Sequence, residues 1–151
     1  MDQVPAEIRS AVAALSEKSG HDFRVTDAPV EGTSLYVVYA TAHPMPAHYT
    51  AETAMLGFRV PSNYPDACPE DSFFIQPITI KLKTADEKRN STDIHRASVT
   101  DSFLKGSGLE NAAVLLFSWH LWDRAPWDRR KHTLFDHYTH SIRRFEQPEH
   151  D

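Results

Sequence analysis

The chain has 151 residues, 40% hydrophobic and 11% aromatic, which is enough for one domain, residues 1–151, with a single hydrophobic core. Its formal charge of -5 argues against nucleic acid or an anionic membrane as the main partner, because both favour clustered positive charge. The sequence shows no signal peptide and no apolar run near the roughly 20 residues of a membrane span, so we expect a soluble, cytoplasmic protein.

An amphipathic helix is predicted over residues 4–19, because Ile8, Val12 and Leu15 recur at helical spacing. Gly20 follows as a C-terminal stop. The next segments are rich in β-branched and aromatic residues and are separated by turn-prone sequence, which predicts short strands of an antiparallel meander. These strands are predicted at residues 23–29, 34–40 and 54–60.

Residues 72–83 continue the strand pattern, since Ile78, Ile80 and Leu82 alternate with polar residues. This alternation predicts one buried and one solvent-exposed face, and Pro77 makes the first half irregular. Residues 84–111 are polar and charged without a sustained period. We therefore predict a long excursion there with at most one helical turn, and loops of that length are usually functional or mobile.

A buried apolar run is predicted at residues 112–118, followed by a second helix at residues 132–147. The helix has an apolar stripe about 100° wide. Its members are Leu134, Phe135, Tyr138, Ile142 and Phe145. The order of elements predicts an α+β fold in which a helix covers one face of an antiparallel sheet.

Two motifs suggest a family. The stretch FRVPSNYPDACPEDSFFI, residues 58–75, joins two strands through a proline-stiffened connection that contains Tyr64-Pro65. Further along, LLFSWHLWDRAPW places Ser118 nine residues before Trp127 and just before the second helix. This arrangement resembles the ubiquitin-conjugating enzyme superfamily, and particularly its divergent bacterial branch, over most of residues 4–147.

The resemblance implies a UBC-like fold: an N-terminal helix, a β-meander, an active-site segment and one following helix, truncated at its C-terminal side. It implies that Ser118 is the nucleophile and that a ubiquitin-like protein is held there as an oxyester. The implied partners are that ubiquitin-like modifier, an E1-like activating enzyme and a peptidase of the same pathway, and no cofactor is implied. The chain departs from the family pattern, since serine replaces cysteine at 118 and no His-Pro-Asn tripeptide precedes it.

A serine hydroxyl is a weak nucleophile until a base takes its proton. His120 is the nearest candidate base, but two residues apart on an extended chain leave it about 6.6 Å from Ser118. A turn, a water molecule or another histidine such as His95 would have to close that gap. Alternatively, the activating enzyme supplies the base in the complex.

The oxyanion of an acyl-transfer intermediate needs hydrogen-bond donors. The resemblance ranks Asn111 first, because a family asparagine acts from a similar upstream position, and Arg124 and backbone amides are the other candidates. Asp123 is a candidate to deprotonate or orient an incoming lysine, whose amine must be neutral to attack. It could equally pair with Arg124.

Other interpretations of these residues stay open. Cys68 is an alternative nucleophile, because a thiolate attacks without much help and this cysteine is the only one. His132, Asp136 and His140 share one helix face at metal-ligand spacing, but that face lies opposite the apolar stripe, so we expect it to be solvated rather than metal-binding. A catalytically inactive module that only binds the activating enzyme or modifier is the second hypothesis, and an unrelated α+β hydrolase is the third.

Overall fold

The computed structural model describes residues 4–83, 91–94, 97–109, 113–118 and 126–146. These residues form an α+β fold, which confirms the predicted class. Within these ranges the helices are α1 (Ala6–Ser19) and α2 (Leu134–Glu146). The strands are β1 (Phe23–Val25), β2 (Leu35–Pro44), β3 (Thr53–Pro61), β4 (Ser72–Gln76), β5 (Leu82–Lys83), β6 (Ser91–Thr92), β7 (Ser98–Thr100) and β8 (Val114–Ser118).

Helix α1 has the predicted apolar stripe, since Ile8, Val12 and Leu15 are all buried. It ends at Gly20, whose φ of 77° is left-handed and whose N–H donates to the carbonyl oxygen of Ser16 at 3.0 Å. Glycine takes this conformation without the strain that a Cβ would add. The helix boundary is therefore encoded locally.

Among the described residues, six strands form the main sheet in the order β1-β2-β3-β4-β8-β7, and every neighbouring pair is antiparallel. The first four are a meander joined in chain order. Strand β8 then pairs with β4, and β7 pairs with the other side of β8. The apolar run before Ser118 is thus an interior strand, which explains why it is almost continuously hydrophobic.

The prediction of one strand over residues 72–83 is wrong in its second half. Strand β4 ends at Gln76, because Pro77 has no N–H for a ladder and the chain turns there. Ile78 is 41% exposed rather than buried. Leu82–Lys83 instead pairs with Ser91–Thr92 in a separate two-stranded sheet.

The prediction of a long excursion over residues 84–111 is wrong at two short strands, β6 and β7, whereas the described residues 93–94, 97 and 101–109 do form loops and turns. Strand β7 lies within this stretch and completes the main sheet. The turn that follows buries Phe103 and Leu104 against the sheet face opposite the helices. Residues 84–90, 95–96 and 110–111 lie outside the described residues.

Helix α2 begins at Leu134, two residues later than predicted, because Thr133 caps it. The Thr133 N–H donates to the Asp136 carboxylate at 2.7 Å, and the Asp136 N–H donates back to the Thr133 hydroxyl oxygen at 3.4 Å, which is the reciprocal pair of a capping box. Leu134, Tyr138 and Phe145 are buried as the stripe predicts.

The sheet separates two groups of buried side chains. On the helix face, which α1 and α2 cover, Phe73, Phe117 and Phe145 form a cluster with ring centroids 5.4 to 6.1 Å apart. On the opposite face, Phe74 packs on Phe103, with centroids 5.6 Å apart. Such aromatic pairs add to the free energy of burial. Both faces of the sheet centre are therefore packed.

Helix α2 also buries a titratable side chain that the stripe did not include. His137 has no exposed surface and packs edge-on against Phe58, with centroids 4.6 Å apart. Burial, and next the neighbouring His140, lower the pKa of His137 to about 3. Because the neutral ring is favoured in the fold while the unfolded chain titrates near 6.5, the stability contributed by His137 is complete above about pH 6.5 and is lost as the pH falls.

We expect His137 alone to lower the free energy of unfolding by about 1.4 kcal/mol between pH 7.5 and pH 5.5. Urea unfolding of wild type and His137→Gln at both pH values measures this difference. The other titratable groups change the free energy of unfolding of both proteins, so the difference between the two proteins isolates His137. The pH-dependent loss should be smaller in His137→Gln by that amount. His140→Gln is the control and should keep most of the loss, since burial is the larger cause; an equal loss in wild type and His137→Gln would contradict the assignment.

Candidate active site

The serine selected from the sequence lies at the C-terminal end of β8. Ser118 stands directly opposite Ser72 in the antiparallel ladder between β4 and β8. Its side chain is exposed, whereas Phe117 before it is fully buried. Ser118 is thus both the end of a buried strand and a hydroxyl that a partner protein can reach.

Ser118 belongs to the sheet face that points away from both helices. Side chains alternate between the two faces along a strand. In β8, Leu115 and Phe117 join the helix-face core, whereas Val114 and Leu116 contact the cluster on the opposite face. Ser118 continues the second set, so its hydroxyl lies on the face that the Phe103 turn partly covers.

The connection between β3 and β4, residues 62–71, is the Tyr-Pro loop. Tyr64 is buried, and the Trp127 indole N–H donates to the carbonyl oxygen of Pro65 at 2.8 Å. The Tyr64 and Trp127 rings pack with centroids 5.7 Å apart. The chain nine residues after Ser118 is therefore fixed on the Tyr-Pro loop, at the end of the sheet where β4 begins and β8 ends.

Ion pairs add a weaker tie between the same elements. The Arg129 guanidinium contacts the carboxylates of Asp66, in the Tyr-Pro loop, and Glu7, in α1. All three side chains are more than half exposed, so each pair contributes little to stability. An open cavity of about 350 Å³ lies between these elements.

Cys68 lies in the Tyr-Pro loop, at the same end of the sheet as Ser118, and is partly buried. Burial, and next the charge of Asp71, raise the pKa of its thiol. Because the thiolate is the nucleophile, a raised pKa lowers the reactive fraction at neutral pH. The structure thus weakens the case for Cys68 as the acceptor.

The other candidate catalytic residues lie outside the described residues. These are Asn111, His120 and Asp123, together with the alternatives His95 and Arg124. Of the four residues predicted to be catalytic, Ser118 is the one that lies within the described residues. The roles of the others stay predictions.

His132, Asp136 and His140, which were expected on a solvated helix face, are each partly buried, and His132 lies before α2 begins. The Asp128 N–H donates to Nδ1 of His132 at 2.9 Å, and Asp136 caps α2 through Thr133. Within the described ranges, no group of three or more His, Cys, Asp or Glu side chains is placed to hold a metal ion.

Sequence reasoning did not select Arg59, which lies on the same sheet face as Ser118. Its Nε donates to Glu70 Oε1 at 2.5 Å, and its Nη1 donates to the carbonyl oxygen of Phe103 at 3.3 Å. The guanidinium carbon lies 4.0 Å from the Phe103 ring centroid. Strand alternation in FRVP is enough to place Arg59 on the face opposite Phe58, but the partners of Arg59 come from distant segments, so no sequence pattern marks it.

Comparisons with known proteins give no information on function. No protein-family model, no curated protein and no solved structure was found to match the chain. Within the part of the chain that the structure describes, no helix is both long enough and apolar enough to cross a membrane.

Trp127→Phe keeps an aromatic ring on Tyr64 but removes the N–H that donates to Pro65. We expect a loss of about 1 kcal/mol in the free energy of unfolding, measured in urea, because one hydrogen bond is lost. Arg129→Gln is the matched control: it breaks the exposed ion pairs of the same region and should change stability by less than about 0.5 kcal/mol. A larger effect of Arg129→Gln than of Trp127→Phe would show that the ion pairs, not the indole, fix this segment.

Cys68 should react with iodoacetamide several-fold more slowly in the folded protein at pH 7.5 than in 8 M urea. Burial limits access of the reagent to the thiol, and the raised pKa lowers the fraction of thiolate. The rate should rise as the pH rises, since more thiolate forms. Mass spectrometry of timed samples measures both rates. Equal rates in buffer and urea would contradict the assignment of a protected, protonated thiol.

Proposed function

We propose that the chain is a ubiquitin-conjugating-type domain that accepts a ubiquitin-like protein on Ser118 from an activating enzyme and passes it to a target amine. The observation that carries the proposal is the position of Ser118. It is an exposed serine at the end of an interior strand, and the chain after it is anchored by Trp127 to the Tyr-Pro loop. This arrangement agrees with the family resemblance of the sequence motifs.

The chemistry is an acyl transfer in two steps. Ser118 Oγ attacks the carbonyl carbon of the modifier's C-terminal thioester on the activating enzyme, a C–O bond forms, and the C–S bond breaks. The hydroxyl proton is transferred to a base or to the departing thiolate. A target amine then attacks the ester carbonyl carbon, a C–N bond forms, the C–O bond to Ser118 breaks, and the proton that the amine loses passes to the Ser118 oxygen. Covalent catalysis divides one difficult transfer into two easier ones.

A second candidate function is a module that docks the activating enzyme or the modifier without carrying it. A serine attacks an acyl group only when a base takes its proton, and the candidate bases, His120 and His95, lie outside the described residues. The two candidates therefore differ in whether a covalent adduct forms.

Incubation with the modifier, the activating enzyme and ATP should give an adduct on Ser118. The adduct should survive dithiothreitol and be cleaved by hydroxide, because it is an ester rather than a thioester. It should be absent in Ser118→Ala and present in Ser72→Ala, which removes the hydroxyl directly opposite in the ladder. Denaturing gel electrophoresis and mass spectrometry measure both the adduct and its site.

Two further variants distinguish the alternatives. Ser118→Cys should form an adduct that dithiothreitol cleaves, and Cys68→Ala should leave the wild-type adduct intact. A thiol-labile adduct in wild type that disappears in Cys68→Ala would move the acceptor to Cys68. Normal partner binding with no adduct in any variant would establish the docking module.

A further inference from the structure

A cation is held on the face and at the end of the sheet where Ser118 lies. The Arg59 side chain is 18% exposed and that of Glu70, its ion-pair partner, is 31% exposed. The guanidinium is therefore partly shielded from water and still reachable. Charge interactions gain strength in such a setting, because the local dielectric is lower than that of water.

The strand register brings Arg59 near Ser118. Gly57 of β3 pairs with Phe74 of β4, and Phe74 pairs with Leu116 of β8. Arg59 lies two residues beyond Gly57, and Ser118 lies two residues beyond Leu116, on the same face and towards the same end. Two strand spacings, about 10 Å, separate the backbones.

Aromatic contacts connect the Arg59 side chain to the strand beside Ser118. Its guanidinium carbon lies 4.0 Å from the centroid of the Phe103 ring, and that ring packs on Phe74, which belongs to β4. Strand β4 is the strand between Arg59 and Ser118. The Phe103 turn thus joins the positive charge to the strand that pairs with the end of β8.

We propose that Arg59 is a catalytic residue that contacts the C-terminal carbonyl oxygen of the modifier and stabilises the negative charge that develops there during transfer to Ser118. The inference rests on the proposed function. As Ser118 Oγ bonds to the thioester carbonyl carbon, the C=O electron pair moves to oxygen, and it returns when the C–S bond breaks. Arg59 donates hydrogen bonds to that oxygen and undergoes no covalent change.

Glu70 limits the charge that Arg59 offers before the modifier arrives. The carboxylate pairs with Nε, so removing its charge while keeping an oxygen acceptor should leave a stronger cation for the oxyanion. A purely structural role for Arg59 predicts another result. Replacing either Arg59 or Glu70 would then lower the stability of the fold and slow transfer to a similar extent.

The test is a single-turnover transfer of the modifier from the preformed activating-enzyme thioester to the full chain, with thermal melting of each variant. Arg59→Gln should slow ester formation about 100-fold, the usual cost of one oxyanion donor. Glu70→Gln should raise the rate about two- to fivefold, because it removes the neutralising charge. Arg59→Lys, which keeps the charge without the planar fork, should fall between Arg59→Gln and wild type.

Lys105→Gln is the matched control. Lys105 lies in the turn that carries Phe103 and forms an exposed ion pair with Glu31 rather than with Arg59 or Glu70. Its transfer rate should equal that of wild type. Opposite rate changes in Arg59→Gln and Glu70→Gln, with similar melting temperatures, support the proposal.

Three outcomes overturn the inference. Equal slowing in Arg59→Gln and Glu70→Gln would leave the pair a purely structural role, and unchanged transfer in folded Arg59→Lys and Arg59→Gln would remove Arg59 from the reaction. In both cases a wild-type adduct that depends on Ser118 would leave the proposed function standing. No adduct in wild type would overturn the proposed function and this inference together.

Discussion

The pairing of β8 with β4 is the constraint on which the candidate site depends. Four residue pairs join the strands, from Ile75 opposite Leu115 to Ser72 opposite Ser118. Because side chains alternate with a period of two, a slip of one residue would turn Phe117 to the other face and Ser118 towards the helices. The burial of Phe117 and the exposure of Ser118 are thus two results of one register.

Packing on both sides of the sheet enforces that register. On the helix face, Phe145 of α2 touches Phe73 and Phe117, so one side chain holds β4 and β8 together. On the opposite face, the Phe103 ring packs on Phe74 and also contacts the Arg59 guanidinium. Removing volume from such a core costs several kcal/mol, since the surroundings relax only partly. The packing of the core therefore fixes the position of the end of β8.

The sequence predicts those parts of the fold whose signals are local. Helix α1 and the strands of the meander follow from periodicity and from the stop at Gly20. Strand β7 could not be predicted, because three residues with the exposed Val99 at their centre carry no alternation, and the strand exists through its pairing with β8. Phe103-Leu104 is a usable signal within that polar stretch, since an apolar pair among polar residues indicates a buried turn.

The residues of the candidate site also differ in whether a local sequence signal identifies them. Ser118 was found by its distance from Trp127, a relation within one segment, whereas Arg59 depends on Glu70 and Phe103, which only the fold brings to it. The chemistry links the two residues. A cysteine transfers acyl groups through a thiolate that forms easily, but a serine needs both a base and a stabilised oxyanion. Because the pKa of the Cys68 thiol is raised, the proposed acyl acceptor at this end of the sheet is the serine. The Arg59 guanidinium, which lies over the Phe103 ring, is the charge proposed to stabilise its oxyanion.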